Sequence, residues 1–166
     1  RSVLDRTLFV LARAACIAAP CGLVIWLFAN ISLNGKTILF LCSNALNPFA
    51  QIFGLDGTIL LAFILGFPAN EIVIPLIIMS YAGGGILTDI NDLHSLKDLL
   101  LQNGWTALTA VNTIIFSLMH WPCSTTLMTI KKETGSIYWT AAAFLLPTLA
   151  GFICCFITTL ISKAFI

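Results

Sequence analysis

Charge is scarce in this chain. Only 9 % of its 166 residues are Asp, Glu, Lys or Arg, against roughly 25 % in a typical soluble domain. The 8 Lys and Arg nearly balance 7 Asp and Glu, for a net charge of +1. The basic footprint of a nucleic-acid-binding protein is therefore missing. No Cys-x-x-Cys pair occurs among the six cysteines, and five of the six lie in or beside apolar runs. That argues against a secreted disulfide framework. Cys16, Cys21, Cys42, Cys154 and Cys155 read as small apolar packing residues. Patterns of soluble catalysis are also lacking: there is no G-x-S-x-G, no HExxH and no glycine-rich dinucleotide loop. Asn34-Gly35-Lys36-Thr37 ends like a phosphate-binding loop, but Asn30 stands where the first glycine is needed. Nothing supplies the oriented base and oxyanion hole of a Cys/His protease. The chain does not read as an enzyme.

What is abundant is apolar surface. Hydrophobic residues make up 59 % of the chain and its mean hydropathy is +1.01. A soluble domain of this length cannot hide so much, because a large part of any globule faces water. The fold class expected is all-α integral membrane, with room for about three or four spans of ~20 residues. The first apolar run begins at Thr7 and continues past Asn30, too long for a signal-peptide core of about 7–15 residues. It reads as a membrane segment, and the chain as a piece of a longer protein.

The spans expected are residues 8–31, 57–82, 104–130 and 138–163. Arg13 can snorkel to the headgroups near the start of the first. Asn34-Gly35 marks a turn, and 37–53 is too polar for a lipid-facing span and fits an amphipathic or interfacial helix. The stretch 57–82 reads GTILLAFILGFPANEIVIPLIIMSYA. Its two apolar arms, about 15–18 Å each as helix, are too short for a core of about 30 Å. It is either one broken helix or a re-entrant hairpin with its tip at Pro68–Glu71. The 83–103 loop, with Gly83-Gly84-Gly85, Asp89, Asp92, His94, Lys97 and Asp98, is polar and expected outside the bilayer. Tyr138 and Trp139 form an interfacial belt and Lys163 a closing anchor. With a hairpin, Arg1, Arg6 and Arg13 share a side with Lys131 and Lys132, and the acidic loop faces the other. The positive-inside rule prefers that arrangement.

Two segments are thus interrupted by a proline beside polar groups, the pattern that points to a binding site in secondary transporters. Pro68 and Pro122 remove a donor and free carbonyls that can coordinate an ion. Glu71 is the carboxylate deepest in an apolar stretch, an expensive placement that marks function by default. The bland alternative is a carboxylate held by free N–H groups at a helix start, with Asn70 as cap. Cys123 follows His120 by three residues, and thiolate with imidazole suits Fe(II), Cu(I) or Zn. The bland alternative is a packed histidine and an inert thiol, with Ser124, Thr125 and Thr126 satisfying freed backbone groups. His94 reads as a solvated histidine.

LDRTLFVLARA near the start, LGFPANEIVIP at 65–75 and SLMHWPCSTTLMTIKKETGS at 117–136 closely resemble the C-terminal membrane region of the bacterial ferrous iron transport protein B family, FeoB. The resemblance runs over essentially the whole chain and is to the second of that family's two nucleoside-recognition-type Gate modules. It implies a membrane pore module of a GTP-regulated Fe(II) uptake transporter in the bacterial inner membrane. It implies a metal path at Asn70, Glu71, His120, Cys123, Ser124 and Thr125. The partners implied are the first Gate module, a GTP-binding domain and the lipid bilayer, with room for a homo-oligomer. GTP and Mg enter only through that absent domain. The rival readings are a membrane-embedded interaction protein without a metal path and a nucleoside or other solute transporter on the same scaffold.

Overall fold

The computed structural model describes residues 2–33, 35–82 and 93–165. The residues expected outside the bilayer at Gly83–Gly85, Asp89 and Asp92 fall outside these. The described chain is almost wholly helical. Helix α1 (Ser2–Asn30) leads into a two-residue β-hairpin, β1 (Ser32–Leu33) against β2 (Lys36–Thr37). Gly35, at φ 76°, makes the turn there. The Thr37 hydroxyl then caps α2 (Ile38–Ile52) by accepting the Phe40 N–H at 3.3 Å. Asp56 caps α3 (Gly57–Leu65) in the same way, its Oδ1 accepting the Ile59 N–H at 2.7 Å. Between them the chain bends by 109°.

Residues 66–72 carry the next break. Pro68 offers no N–H, and the tip is held by short-range bonds: Phe67 N to Ile64 O, Ala69 N to Gly66 O and Ile72 N to Ala69 O. A 3₁₀ turn (Asn70–Ile72) opens α4 (Val73–Tyr81). The two arms fold back on each other. Continued straight, Asp56 and Tyr81 would stand about 37 Å apart at 1.5 Å per residue; instead the Tyr81 hydroxyl donates to Asp56 Oδ2. Gly66 permits the close return, since a Cβ there would run into Val73 Cγ2 and lie 2.9 Å from the Ala62 carbonyl.

Within the polar connection, expected as a loop over 83–103, lies an amphipathic helix, α5 (Leu93–Gln102), whose His94 is exposed. Helix α6 (Ala107–Met119) is capped by Thr106, α7 (Ser124–Thr134) ends at Gly135 with φ 64°, and α8 is the 29-residue Ile137–Phe165. The break at 120–123 does not fold back: α8 runs beside both α6 and α7. Phe116 meets Phe152 at 4.8 Å between ring centres, and a Cβ on Gly151 would touch Met119.

Apolar burial centres on the α3–α4 hairpin, where Ile59, Phe63 and Ile77 are almost fully enclosed together with Phe116 and Cys155. Helix α8 is the reverse. Leu146, Leu149, Ile153 and Leu160 point outward and stay exposed, as expected for a face solvated by lipid. Among the described residues, one helix (Ile137–Ala164) is long and apolar enough to cross a membrane alone. The pair α2 and α3 reaches that length only together.

Candidate functional site

The two proline breaks meet. The Ser124 N–H at the start of α7 donates to the Phe67 carbonyl at the hairpin tip, 3.0 Å. A carbonyl left over at the end of one helix thus finds its partner at the other break, while the Ile64 carbonyl that Pro68 cannot serve accepts the Phe67 N–H. In and beside the two breaks four buried side-chain atoms meet no hydrogen-bond partner among the described residues: Asn70 Oδ1, His120 Nε2, Trp121 Nε1 and Ser124 Oγ. Buried polar atoms are normally paired, and each exception asks for an explanation.

His120 closes α6 in an extended conformation. Its Nδ1 lies 3.1 Å from the Phe116 carbonyl and 2.9 Å from the Ser117 carbonyl. Both partners only accept, which assigns a proton to Nδ1; in the neutral ring the lone pair is then on Nε2. A backbone carbonyl orienting one ring nitrogen while the other is free is the usual arrangement of a ligating histidine. The ring sits in an aromatic cluster drawn from three elements: 4.9 Å from Phe63 on α3, 6.1 Å from Phe116 on α6, and 6.0 Å from Trp121. Trp121 in turn stacks on Phe144 of α8 at 5.8 Å.

Cys123 is the N-cap residue of α7 but caps no N–H with its side chain. Its Sγ is 3.1 Å from the hydroxyls of both Thr125 and Thr126. These two threonines therefore serve the sulfur rather than the freed backbone, and Ser124 joins the tip through its N–H while its hydroxyl is left over. Asn70 does not cap: Ala69 holds that position, without a side-chain bond. Glu71 is exposed in the 3₁₀ turn. Among the described residues no three of His, Cys, Asp and Glu are grouped to hold a metal ion. Asn70, His120 and Ser124 thus each keep an unpaired buried atom in or next to one of the two breaks, and Glu71 is exposed.

All six thiols are free. Cys155 is buried, donating toward the Asn112 carbonyl at 3.4 Å, whereas Cys16 is exposed. Sequence reasoning passed over Trp121, and also Asp56, Tyr81 and Trp105. The last two are joined, Trp105 Nε1–H donating to the Tyr81 hydroxyl oxygen at 2.9 Å. An available signal was Asp56 itself, a capping acid at the edge of an apolar run.

The Gate family, described as nucleoside recognition, matches residues 11–137. The chain belongs to the Gate family. Over its whole length it is 27 % identical to the Fe(2+) transporter FeoB of Staphylococcus aureus strain MSSA476, covering 25 % of that protein. It is 25 % identical to FeoB of Leptospira biflexa, with 86 % of this chain and 23 % of that protein aligned. Against FeoB of Leptospira interrogans serovar copenhageni it is 29 % identical over 68 % of this chain and 16 % of the relative. The chain spans about a quarter of the length of the first of these relatives. No solved structure matches it. The resemblance of this Gate region to the FeoB membrane region thus extends from end to end.

Proposed function

We propose that this Gate region forms part of the membrane path by which a ferrous iron transporter of the bacterial inner membrane carries Fe(II), with the metal passing the junction of the two helix breaks. The observation that carries it is the set of unpaired buried atoms there. Asn70 Oδ1 and His120 Nε2 are acceptors, and the Ser124 hydroxyl is both donor and acceptor. Imidazole and oxygen donors, with the Cys123 sulfur beside them, form a borderline donor set that suits Fe(II) without caging it. The Trp121 N–H is a donor and repels a bare cation, so it fits an ion that keeps part of its water. Binding of this kind selects the ion and still releases it. Glu71, exposed at the tip, adds negative charge to the approach.

The remaining parts follow the resemblance. Lys36 and Thr37 form a strand paired with Ser32 and Leu33. Nucleotide control belongs to a domain elsewhere in the full protein, and the first Gate module supplies the facing wall of the path.

Uptake of radiolabelled Fe(II) tests the reading in cells that depend on the full-length protein. Cys123→Ser is expected to lower uptake severalfold at unchanged protein level, and Cys154→Ala to leave it intact. Equal effects from both, or no iron uptake by the parent protein, would reject it. Accumulation of a labelled nucleoside would move the assignment to the solute-transporter reading.

A further inference from the structure

A second polar feature lies at the other end of the hairpin. Between α2, α3 and the end of α4 is a cavity of about 360 Å³ lined by Asn44, Asn47, Asp56, Thr58, Ser80 and Asn103 among others. We propose that this cavity is a vestibule that holds a hydrated divalent cation before it moves to the helix breaks; the proposal rests on the Fe(II)-transport reading of those breaks.

The polar part of the lining is hydroxyls and amides with one carboxylate, beside Leu39 and Phe40, and among the described residues no Lys, Arg or His contributes to it. Asp56 is held in place on both oxygens. Oδ1 accepts the Ile59 N–H at 2.7 Å and Oδ2 accepts the Tyr81 hydroxyl, itself fixed by Trp105. A carboxylate has about four lone-pair sites, so Asp56 keeps two for water molecules around an ion. Amide and hydroxyl oxygens accept from such waters equally well. Oxygen donors of this kind favour ions that retain their hydration shell. Six waters at about 30 Å³ each occupy roughly 180 Å³, which the cavity accommodates. The break junction adds nitrogen and sulfur to oxygen. The two ends of the hairpin therefore differ in the way a path needs: electrostatic capture of the intact aquo ion first, partial replacement of its water second. They are separated by the nine residues of α3, about 14 Å of helix.

The mouth is placed to serve as an entrance. Asn103 immediately follows α5, so the lining includes the point where the polar connection rejoins the bundle. That end is opposite the Lys131–Lys132 end of α7, which the positive-inside rule assigns to the cytoplasm. Lys36 stands at the rim with its ammonium 5.2 Å over the ring of Phe40, another lining residue.

The test uses the purified full-length protein and the same protein in cells. Asp56→Asn keeps an acceptor for the Ile59 N–H and removes the charge. It is expected to raise the KM for Fe(II) uptake roughly tenfold, as loss of a unit charge near a divalent ion implies, with the maximal rate within about twofold. Electron paramagnetic resonance titration with Mn(II) alone should show one bound ion fewer per chain. Asn44→Asp and Lys36→Ala are expected to lower KM. His120→Phe is expected to depress the maximal rate while leaving this Mn(II) site filled. Unchanged KM and Mn(II) stoichiometry in both Asp56→Asn and Asn44→Asp would overturn the vestibule. If the parent protein takes up no Fe(II), the transport reading falls, and the Mn(II) count still decides the cavity.

Discussion

His120 donates Nδ1–H to backbone carbonyls and buries an Nε2 that nothing among the described residues satisfies. A buried acceptor without a partner costs about 1–3 kcal/mol. His120→Phe removes that acceptor and keeps a flat ring among Phe63, Phe116 and Trp121. The variant is expected to melt at or above the parent temperature while Fe(II) uptake falls at least about tenfold. A loss of uptake that merely tracks a loss of folded protein would return His120 to a packing role. Asn112 is the opposite case. It is fully buried, donates to the Phe53 carbonyl at 2.8 Å and to the Thr159 hydroxyl at 3.0 Å, and accepts from Thr158. It thereby ties α6 and α8 to the α2–α3 turn. Asn112→Ala strands several partners at once and is expected to cost roughly 2–4 kcal/mol, read as a fall in melting temperature in detergent. The odd HWPC run exposes His120 and Cys123 to a sequence reader. Asn112 is just as polar in an equally apolar helix, but its role depends on partners 43 to 59 positions away, which no local pattern shows.

The breaks at Pro68 and Pro122 are both legible, yet they produce different elements. After Pro68 the chain returns along itself; after Pro122 it continues beside α8. The difference lies in what flanks each proline. Gly66 lets α4 close against α3, and the Asp56–Tyr81 bond fastens the open end. The other break has no such glycine, and α8 offers a continuous surface to both halves. The arms of 57–82 were visible as too short to span, but the fastening is a pairing 25 residues apart and so invisible in the sequence. Close packing extends to the hairpin's entry. A Cβ on Gly57 would collide with the Ser43 carbonyl and lie 2.8 Å from the Asn47 amide, while the Gly57 N–H donates to Asn47 Oδ1 at 3.1 Å. Gly57→Ala must push α2 off α3 and is expected to cost about 1–3 kcal/mol. A thermal melt equal to the parent would mean that the crossing is looser than these distances. For the same reason Gly57 is a poor site for a cysteine reporter, and Gln51 and Gln102, both exposed, are better ones.

On the scale of the whole molecule, the proposed topology follows from one fold-back among otherwise crossing elements. If α1, the α6–α7 pair and α8 each cross once and the hairpin does not, the number of crossings is odd. The base of the hairpin, α5 and the cavity then share one face. Lys131 and Lys132, exposed in the last turn of α7, lie on the other. The outer surface agrees with this: Tyr138 and Trp139 stay 84 % and 68 % exposed at the start of α8, just past the lysines, as a headgroup belt requires. If 57–82 crossed as a broken helix instead, the lysines would move to the face opposite the N-terminus and Gln51 would part from Gln102. Single cysteines separate the two in a full-length protein whose native cysteines tolerate replacement. Gln51→Cys and Gln102→Cys should both react with a membrane-impermeant maleimide added outside intact cells stripped of their outer membrane. Lys132→Cys should react only after the inner membrane is permeabilised. Labelling of Gln51→Cys and Gln102→Cys from different sides would replace the hairpin by a through-helix. It would also move the cavity mouth to the wrong side for an entrance, because Asp56, Ser80 and Asn103 line it together only while the hairpin is closed.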